Sequence, residues 1–311
     1  LETQLNEFEA GGFSDTTTLD GKVNFTVGAL SYDGAGTDTV SNEAALFQYM
    51  WQGNLNTSFT GDDNLYVRLK GGDGWDGAFD QKTATYHIDA KDTSSGDATL
   101  FQVDKVWYTL PLNDNFTATF GPKIENYYML AATPSVYKPG ALKAFKLGGH
   151  ASAFGASTST GVGLKYVGDN GFAVSTTVNS KGADGTTGSA DAERATGYIL
   201  YSNGPFTIGY QEMSQNTANL GDNTTQAPDV EGDGMAIAFS QDNLSISYSE
   251  VNEIVEPNSD TTAEYEVEMS ALQATYTMGA MTLGMSMYET DNPEGTTGKY
   301  EETELSVSFA F

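Results

Sequence analysis

The amino-acid sequence predicts an all-β protein, an up-and-down antiparallel transmembrane β-barrel of fourteen strands. Three observations predict it. The periodicity is nearly all of period two, with apolar and polar residues alternating in run after run along the 311 residues. The connections between the alternating segments are short and long by turns. No run of about 18 apolar residues exists to form a membrane-spanning helix.

The first segment covers 19–31, where Leu19, Val23, Phe25, Val27 and Ala29 alternate with Asp20, Lys22, Asn24 and Thr26. The second covers 45–59, with Phe47, Tyr49, Trp51 and Leu55 against Gln48, Gln52, Asn54 and Asn56. Runs this long exceed the usual globular strand of about 5–6 residues and suit a tilted membrane strand with overhang. Shorter alternating runs follow at 65–69, 105–110, 116–120, 162–166, 172–178, 195–201, 206–210, 235–239, 244–248, 272–278, 281–287 and 305–311. Residues 265–269 alternate in the opposite phase to 272–278, so a bulge is expected between them.

The even-numbered connections are tight and rich in Gly, Asn or Asp: 61–63, 113–114, 168–171, 202–205, 241–243 and 279–280. The odd ones are long: 33–44, 72–99, 125–160, 180–193, 213–233, 252–263 and 289–299. Such alternation is that of an outer-membrane barrel with short periplasmic turns and long external loops. An even strand number places both termini on the short-turn side. Sixteen strands result if the second or third long loop holds another hairpin. A soluble β-sandwich also alternates, but its loops show no such pattern, and fourteen strands would need two domains and a linker.

The charge is strongly acidic: 42 Asp and Glu against 14 Lys and Arg, a net of −28. Nucleic acid is therefore excluded as a partner. There is no cysteine, which removes disulfide frameworks and Cys-based metal or redox sites. Aromatic residues at 12% are too many for a disordered acidic chain. No charged-then-apolar leader opens the sequence, which reads as mature protein or a trimmed fragment.

Three stretches carry a family resemblance: Thr16-Thr-Thr-Leu-Asp-Gly-Lys-Val-Asn-Phe-Thr-Val-Gly-Ala, Leu55-Asn-Thr-Ser-Phe-Thr-Gly-Asp-Asp-Asn-Leu-Tyr-Val-Arg-Leu and Asp104-Lys-Val-Trp-Tyr-Thr-Leu-Pro-Leu-Asn-Asp-Asn-Phe-Thr. They resemble the cyanobacterial outer-membrane porins, also called iron-uptake or OprB-like porins. The chain also ends on Val307, Phe309 and Phe311, as last strands of bacterial outer-membrane barrels do. The resemblance implies a non-enzymatic diffusion pore for small solutes and inorganic ions, a homotrimer in contact with outer-membrane lipid and lipopolysaccharide. In that family a peptidoglycan-binding S-layer-homology domain and a coiled coil precede the barrel. Here residues 1–14 read as the tail of that helix and 15–311 as the barrel, so peptidoglycan would be reached only through the missing domain. Trimer contacts are expected where Gly21, Ala29, Gly53 and Ala118 leave room on the apolar face.

Charge distribution locates the candidate site. Ten of the fourteen bases fall between Arg68 and Lys165, and 126–168 contains no acid. Arg68, Lys70, Lys105, Lys123 and Lys165 occupy polar, lumen-facing strand positions. Lys138, Lys143 and Lys146 lie in the third long loop, expected to fold inward and narrow the pore. A basic constriction favours anions. Solvated loop lysines, or lysines bound to lipopolysaccharide phosphate, are the plainer alternative. Acidic external loops would meanwhile gather cations such as iron.

The remaining motifs are weak. Gly72-Asp-Gly-Trp-Asp-Gly and Asp229-Val-Glu-Gly-Asp-Gly offer oxygen ligands for a loop-bound Ca²⁺ but do not have EF-hand spacing, and read as solvated loops. No other cofactor is expected. His87 and His150 lie in long loops, away from the strand walls where a barrel phospholipase would hold its Ser/His pair. The alternatives to a porin are such an enzyme or an adhesin-like structural β protein.

Overall fold

The computed structural model describes residues 12–14, 16–34, 46–72, 102–124, 129, 159–181, 192–217, 229–256, 263–291 and 298–311. The strands are β1 (Gly12–Ser14), β2 (Thr17–Gly34), β3 (Leu46–Thr57), β4 (Asn64–Gly72), β5 (Gln102–Pro111), β6 (Phe116–Ile124), β7 (Ser159–Val167) and β8 (Phe172–Lys181). They continue as β9 (Ala192–Asn203), β10 (Phe206–Thr217), β11 (Asp229–Gln241), β12 (Leu244–Glu256), β13 (Tyr265–Met278), β14 (Met281–Asp291) and β15 (Gly298–Ala310). Each strand from β2 to β15 pairs antiparallel with its sequence neighbours, and β2 pairs with β15, so fourteen strands close into a barrel. Each coincides with one of the fourteen alternating segments, most of which it extends. The short β1 pairs with the start of β2, inside the segment assigned from sequence to a helix tail. Residues 1–11 lie outside the described residues. Among the described residues no helix is long and apolar enough to cross a membrane.

The alternation sorts side chains between the two faces of the wall. Outward residues include Phe25, Phe116, Ile208, Ile237, Leu272, Met285 and Phe309, all large, apolar and exposed. Inward ones include Asn24, Thr26, Gln52, Ser175, Thr177, Gln211, Gln273 and Ser286. An apolar outside and a polar inside is the polarity of a barrel with lipid around it and water within it.

The short turns close through backbone conformations their residues allow. The β9–β10 turn uses Gly204 at φ 57° and the β13–β14 turn Gly279 at φ 59°, and the β11–β12 turn uses Asp242 at φ 53°. Directly paired aromatics mark the wall near this end: Phe116–Tyr166, Phe172–Tyr201 and Phe206–Phe239, with ring centroids 5.0, 5.3 and 5.2 Å apart. Asp63 pins the β3–β4 turn. Its Oδ1 accepts from the backbone N–H groups of Phe59 and Thr60 and from the hydroxyls of Ser58 and Thr60. Its Oδ2 accepts from the Tyr108 hydroxyl on β5. The Tyr108 bond, then those from Thr60 and Ser58, hold this carboxyl well below the usual carboxylate range against the opposing effect of burial.

Three expectations are corrected. The fifth and sixth long connections are shorter than expected, because β10 runs on to Thr217, β11 starts at Asp229, β12 ends at Glu256 and β13 starts at Tyr265. Alternation continues there with inverted polarity: Asp229, Glu231 and Asp233 sit on strand β11, not in a solvated loop, and Val230 between them is buried. For the same reason β13 has no bulge. Its register with β12 and β14 is unbroken, with Val267, Met269 and Ala271 inward in phase with Gln273 and Thr275. Finally, Gly21 and Gly53 leave no open outer surface for a neighbouring barrel. The Phe311 ring covers Gly21, a Cβ on which would lie 2.7 Å from it, and the Trp51 ring covers Gly53.

Candidate pore constriction

The register shifts fall on β5 and β6, beside the basic residues. On β5, Val103 pairs with Leu69 and Lys105 with Arg68, which leaves Asp104 as the extra residue of a bulge. Two consecutive side chains, Asp104 and Lys105, therefore enter the barrel opposite Arg68. Arg68 Nε donates to Asp104 Oδ2 at 2.6 Å and its Nη2 lies 2.5 Å from the same oxygen. Lys70 Nζ is 3.6 Å from Oδ2 and Lys105 Nζ 3.3 Å from Oδ1. All four residues are at most 2% exposed. Among the described residues three cations surround this one carboxylate in a buried cluster on the β4–β5 wall. The carboxylate offsets part of the cost of desolvating the bases.

An apolar group stands beside it. Tyr66 and Trp107, inward on β4 and β5, stack with centroids 4.1 Å apart, and Ile124 and Met129 complete the buried cluster. Met129 belongs to the third long connection. Its side chain occupies the space above inward Gly163 on β7, where a Cβ would lie 2.7 Å from Met129 Cβ. Ile124 similarly covers Gly161. The two inward glycines thus make room for the Ile124 and Met129 side chains inside the barrel.

Lys165 is also inward, paired with Thr117 and with buried Ser175, but near the short-turn end of β7. Lys123 is not. A second bulge, on β6 at 121–123, shifts the phase, so Lys123 pairs with outward Val106 and is exposed, with Nζ 3.3 Å from the Val103 carbonyl. Lys138, Lys143 and Lys146 lie outside the described residues, as do His87, His150 and 73–77 of the first oxygen-rich motif. Sequence reasoning missed Asp104. The signal was present: outward Val103 and Val106 stand three residues apart, a break in the period of two. It also missed buried Arg194 on β9, whose Nη2 donates to Gln215 Oε1 near buried Glu253. Among the described residues no group of His, Asp or Glu has the arrangement of a metal site.

No family model matches the chain. It is 33% identical over 122 residues to an uncharacterised protein of Synechocystis; the match covers 39% of this chain and 21% of that protein's length. In structure it is similar to an anion-selective porin from Comamonas acidovorans, with TM-score 0.58, 13% identity, and 95% and 99% of the two chains covered. It is also similar to OprB of Pseudomonas putida, with TM-score 0.55, 10% identity, and 99% and 96% covered. A loop-deletion mutant of OmpT, an outer-membrane protein of Vibrio cholerae, gives TM-score 0.53 at 12% identity, with 96% and 100% covered. These likenesses place the chain among barrels of the fold that bacterial outer-membrane porins adopt.

Proposed function

We propose that the protein is a non-enzymatic outer-membrane porin, a water-filled channel for small solutes and inorganic ions. One observation carries the reading: a closed fourteen-stranded wall with an apolar outside and a polar inside. The inward Met129 supports a pore narrowed by the third connection, with the Arg68–Lys70–Lys105 cluster on its wall and Lys138, Lys143 and Lys146 approaching from the loop. Positive charge at the narrowest point lowers the barrier to anions such as nitrate, phosphate, bicarbonate or chloride. The acidic balance of the chain opposes this preference by gathering cations, iron among them, at the mouth, so net selectivity is mild and fades as salt rises. A homotrimer in lipopolysaccharide-containing membrane remains part of the proposal, on contacts other than Gly21 and Gly53. The Synechocystis similarity is in keeping with a cyanobacterial origin.

The test is a planar-bilayer recording under a KCl gradient. Stepwise conductance with a reversal potential of anion-selective sign is expected. Absence of conductance from correctly folded protein favours a structural or adhesin-like protein, and hydrolysis of labelled phospholipid favours an enzyme.

A further inference from the structure

The outer surface of three adjacent strands changes chemistry at one line. It falls between Tyr210 and Glu212 on β10, Met235 and Asp233 on β11, and Tyr248 and Glu250 on β12. On the turn side of the line the outward side chains are apolar or aromatic as far as Gln241 at the β11–β12 turn, and beyond the line carboxylates dominate. Glu212 and Asp233 are direct cross-strand partners, an arrangement of like charges that only a high-dielectric surrounding tolerates. Tyr210 and Tyr248 lie at the line itself and donate to Glu212 Oε1 at 2.8 Å and Glu250 Oε1 at 2.5 Å. Such rings, apolar in body and polar at the tip, settle at membrane surfaces.

The inner face reverses close to the same line. Turnward of it stand Gln211, Ser247, Ser249 and Gln273, and beyond it Met213, Val251, Val255, Val267 and Met269 gather in a buried apolar cluster, with Gln215 and Glu253 the buried polar exceptions on these strands. Charged outside and apolar inside is the polarity of a wall in water, opposite to that of the same strands nearer the turns. The outward belt from Phe206 to Tyr210 spans four residue steps, about 13 Å along the strand and about 10 Å of depth at the usual tilt. Outward Leu19 to Val27 on β2 span eight steps, about twice that. A groove of about 670 Å³ opens above the line between Thr176, Gly197, Glu212, Asp233 and Glu266. An acyl chain lying in it would face the carboxylates of Glu212, Glu231, Asp233 and Glu266, whereas water solvates them.

We propose that the loop-side ends of β10–β13 stand in water, that the outer membrane surface meets this sector at Tyr210 and Tyr248, and that the lipid thins beside these strands. This rests on the reading that the barrel spans a membrane. A shortened belt is met by local thinning at a modest cost per ångström.

The chain has no cysteine, so single Cys substitutions can carry a nitroxide without a prior knockout. Val27→Cys, Ile246→Cys, Asn252→Cys and Ile254→Cys are labelled in bacterial-phospholipid vesicles and probed with oxygen, which concentrates in lipid, and a nickel chelate, which stays in water. Oxygen collisions should dominate at 27 and 246 and nickel collisions at 252 and 254, with the ratio reversing at least tenfold along β12. Position 254 decides, because Ile254 is apolar and 41% exposed yet lies beyond the line. Oxygen dominance at 254 overturns the proposal, and so does protection from both reagents at 252 and 254, which means a second copy covers the sector. Nickel dominance at 27 and 246 overturns the membrane reading itself. As an unlabelled check, Ile254→Asn should leave the yield of folded, heat-modifiable barrel unchanged while Ile246→Asn lowers it; equal losses contradict the proposal.

Discussion

Asp104 Oδ2 lies 2.6 Å from Arg68 Nε, two residues brought face to face by a one-residue bulge in β5. Asp104→Asn keeps the shape and removes the charge from the centre of three bases. Breaking a buried ion group in this way typically costs about 3–5 kcal/mol, so a lower midpoint of thermal unfolding in detergent is expected. Selectivity should move with it: the reversal potential in a KCl gradient shifts toward chloride. An unchanged potential with lowered stability separates this cluster from the conducting path.

The triple change Lys138→Glu, Lys143→Glu and Lys146→Glu tests the loop. Replacing three positive by three negative charges should carry the reversal potential toward potassium, more at 0.1 M than at 1 M salt, because screening shortens from about 10 Å to about 3 Å. The same potential in both proteins removes these lysines from the pore.

The stack of Trp51 on Phe311 makes a prediction about the seam. The rings lie 6.1 Å apart over Gly53 and Gly21. Phe311→Ala should destabilise the barrel by the pair energy of about 0.5–1.5 kcal/mol plus the lost contact area. Gly21→Ala should be destabilising as well, by about 1–3 kcal/mol, because the added methyl overpacks against the Phe311 ring and the Gln52 carbonyl. Heat-modifiable gel migration reads both, and a Gly21→Ala barrel as stable as the parent contradicts the close approach.

Asp63 sets an acid limit. Its folded pKa lies below the model-compound value of 3.8, so the unfolded chain takes up its proton first as pH falls. Its contribution is therefore complete above about pH 5, declines from about pH 4 downward, and is lost once the folded carboxyl is also protonated. Asp63→Asn should lower the thermal midpoint at pH 7 and flatten its decline between pH 4 and pH 2.5. Parallel curves for the two proteins would show that the turn does not depend on the charge.

All fourteen strands were legible because a wall with lipid on one face and water on the other imposes a strict period of two, as in Phe25, Val27 and their inward neighbours Asn24 and Thr26. The ends of β10–β13 were not legible as strands. Glu231 and Asp233 read as loop residues when the outward face is assumed apolar throughout, and Val267 and Met269 read as a phase error. Of the site, Arg68, Lys70, Lys105 and Lys165 follow from parity alone. Lys123 failed because parity counts residues, and a bulge adds one. Asp104 failed for the same reason in the opposite direction, and its neighbours Val103 and Val106 show that such breaks are readable when each strand is indexed separately.

The hydrogen bonds between Gly21 and Phe311, N to O at 3.0 and 3.1 Å, join positions near the two ends of the chain. Among the described residues that pairing has the largest loop-closure separation, and it cannot form until Phe311 has been brought back to β2. Until then β2 offers an unpaired edge to solvent, to lipid or to other chains. That separation along the chain makes ring closure a late, slow event, and the acidic chain's mutual repulsion helps keep open intermediates apart while they wait.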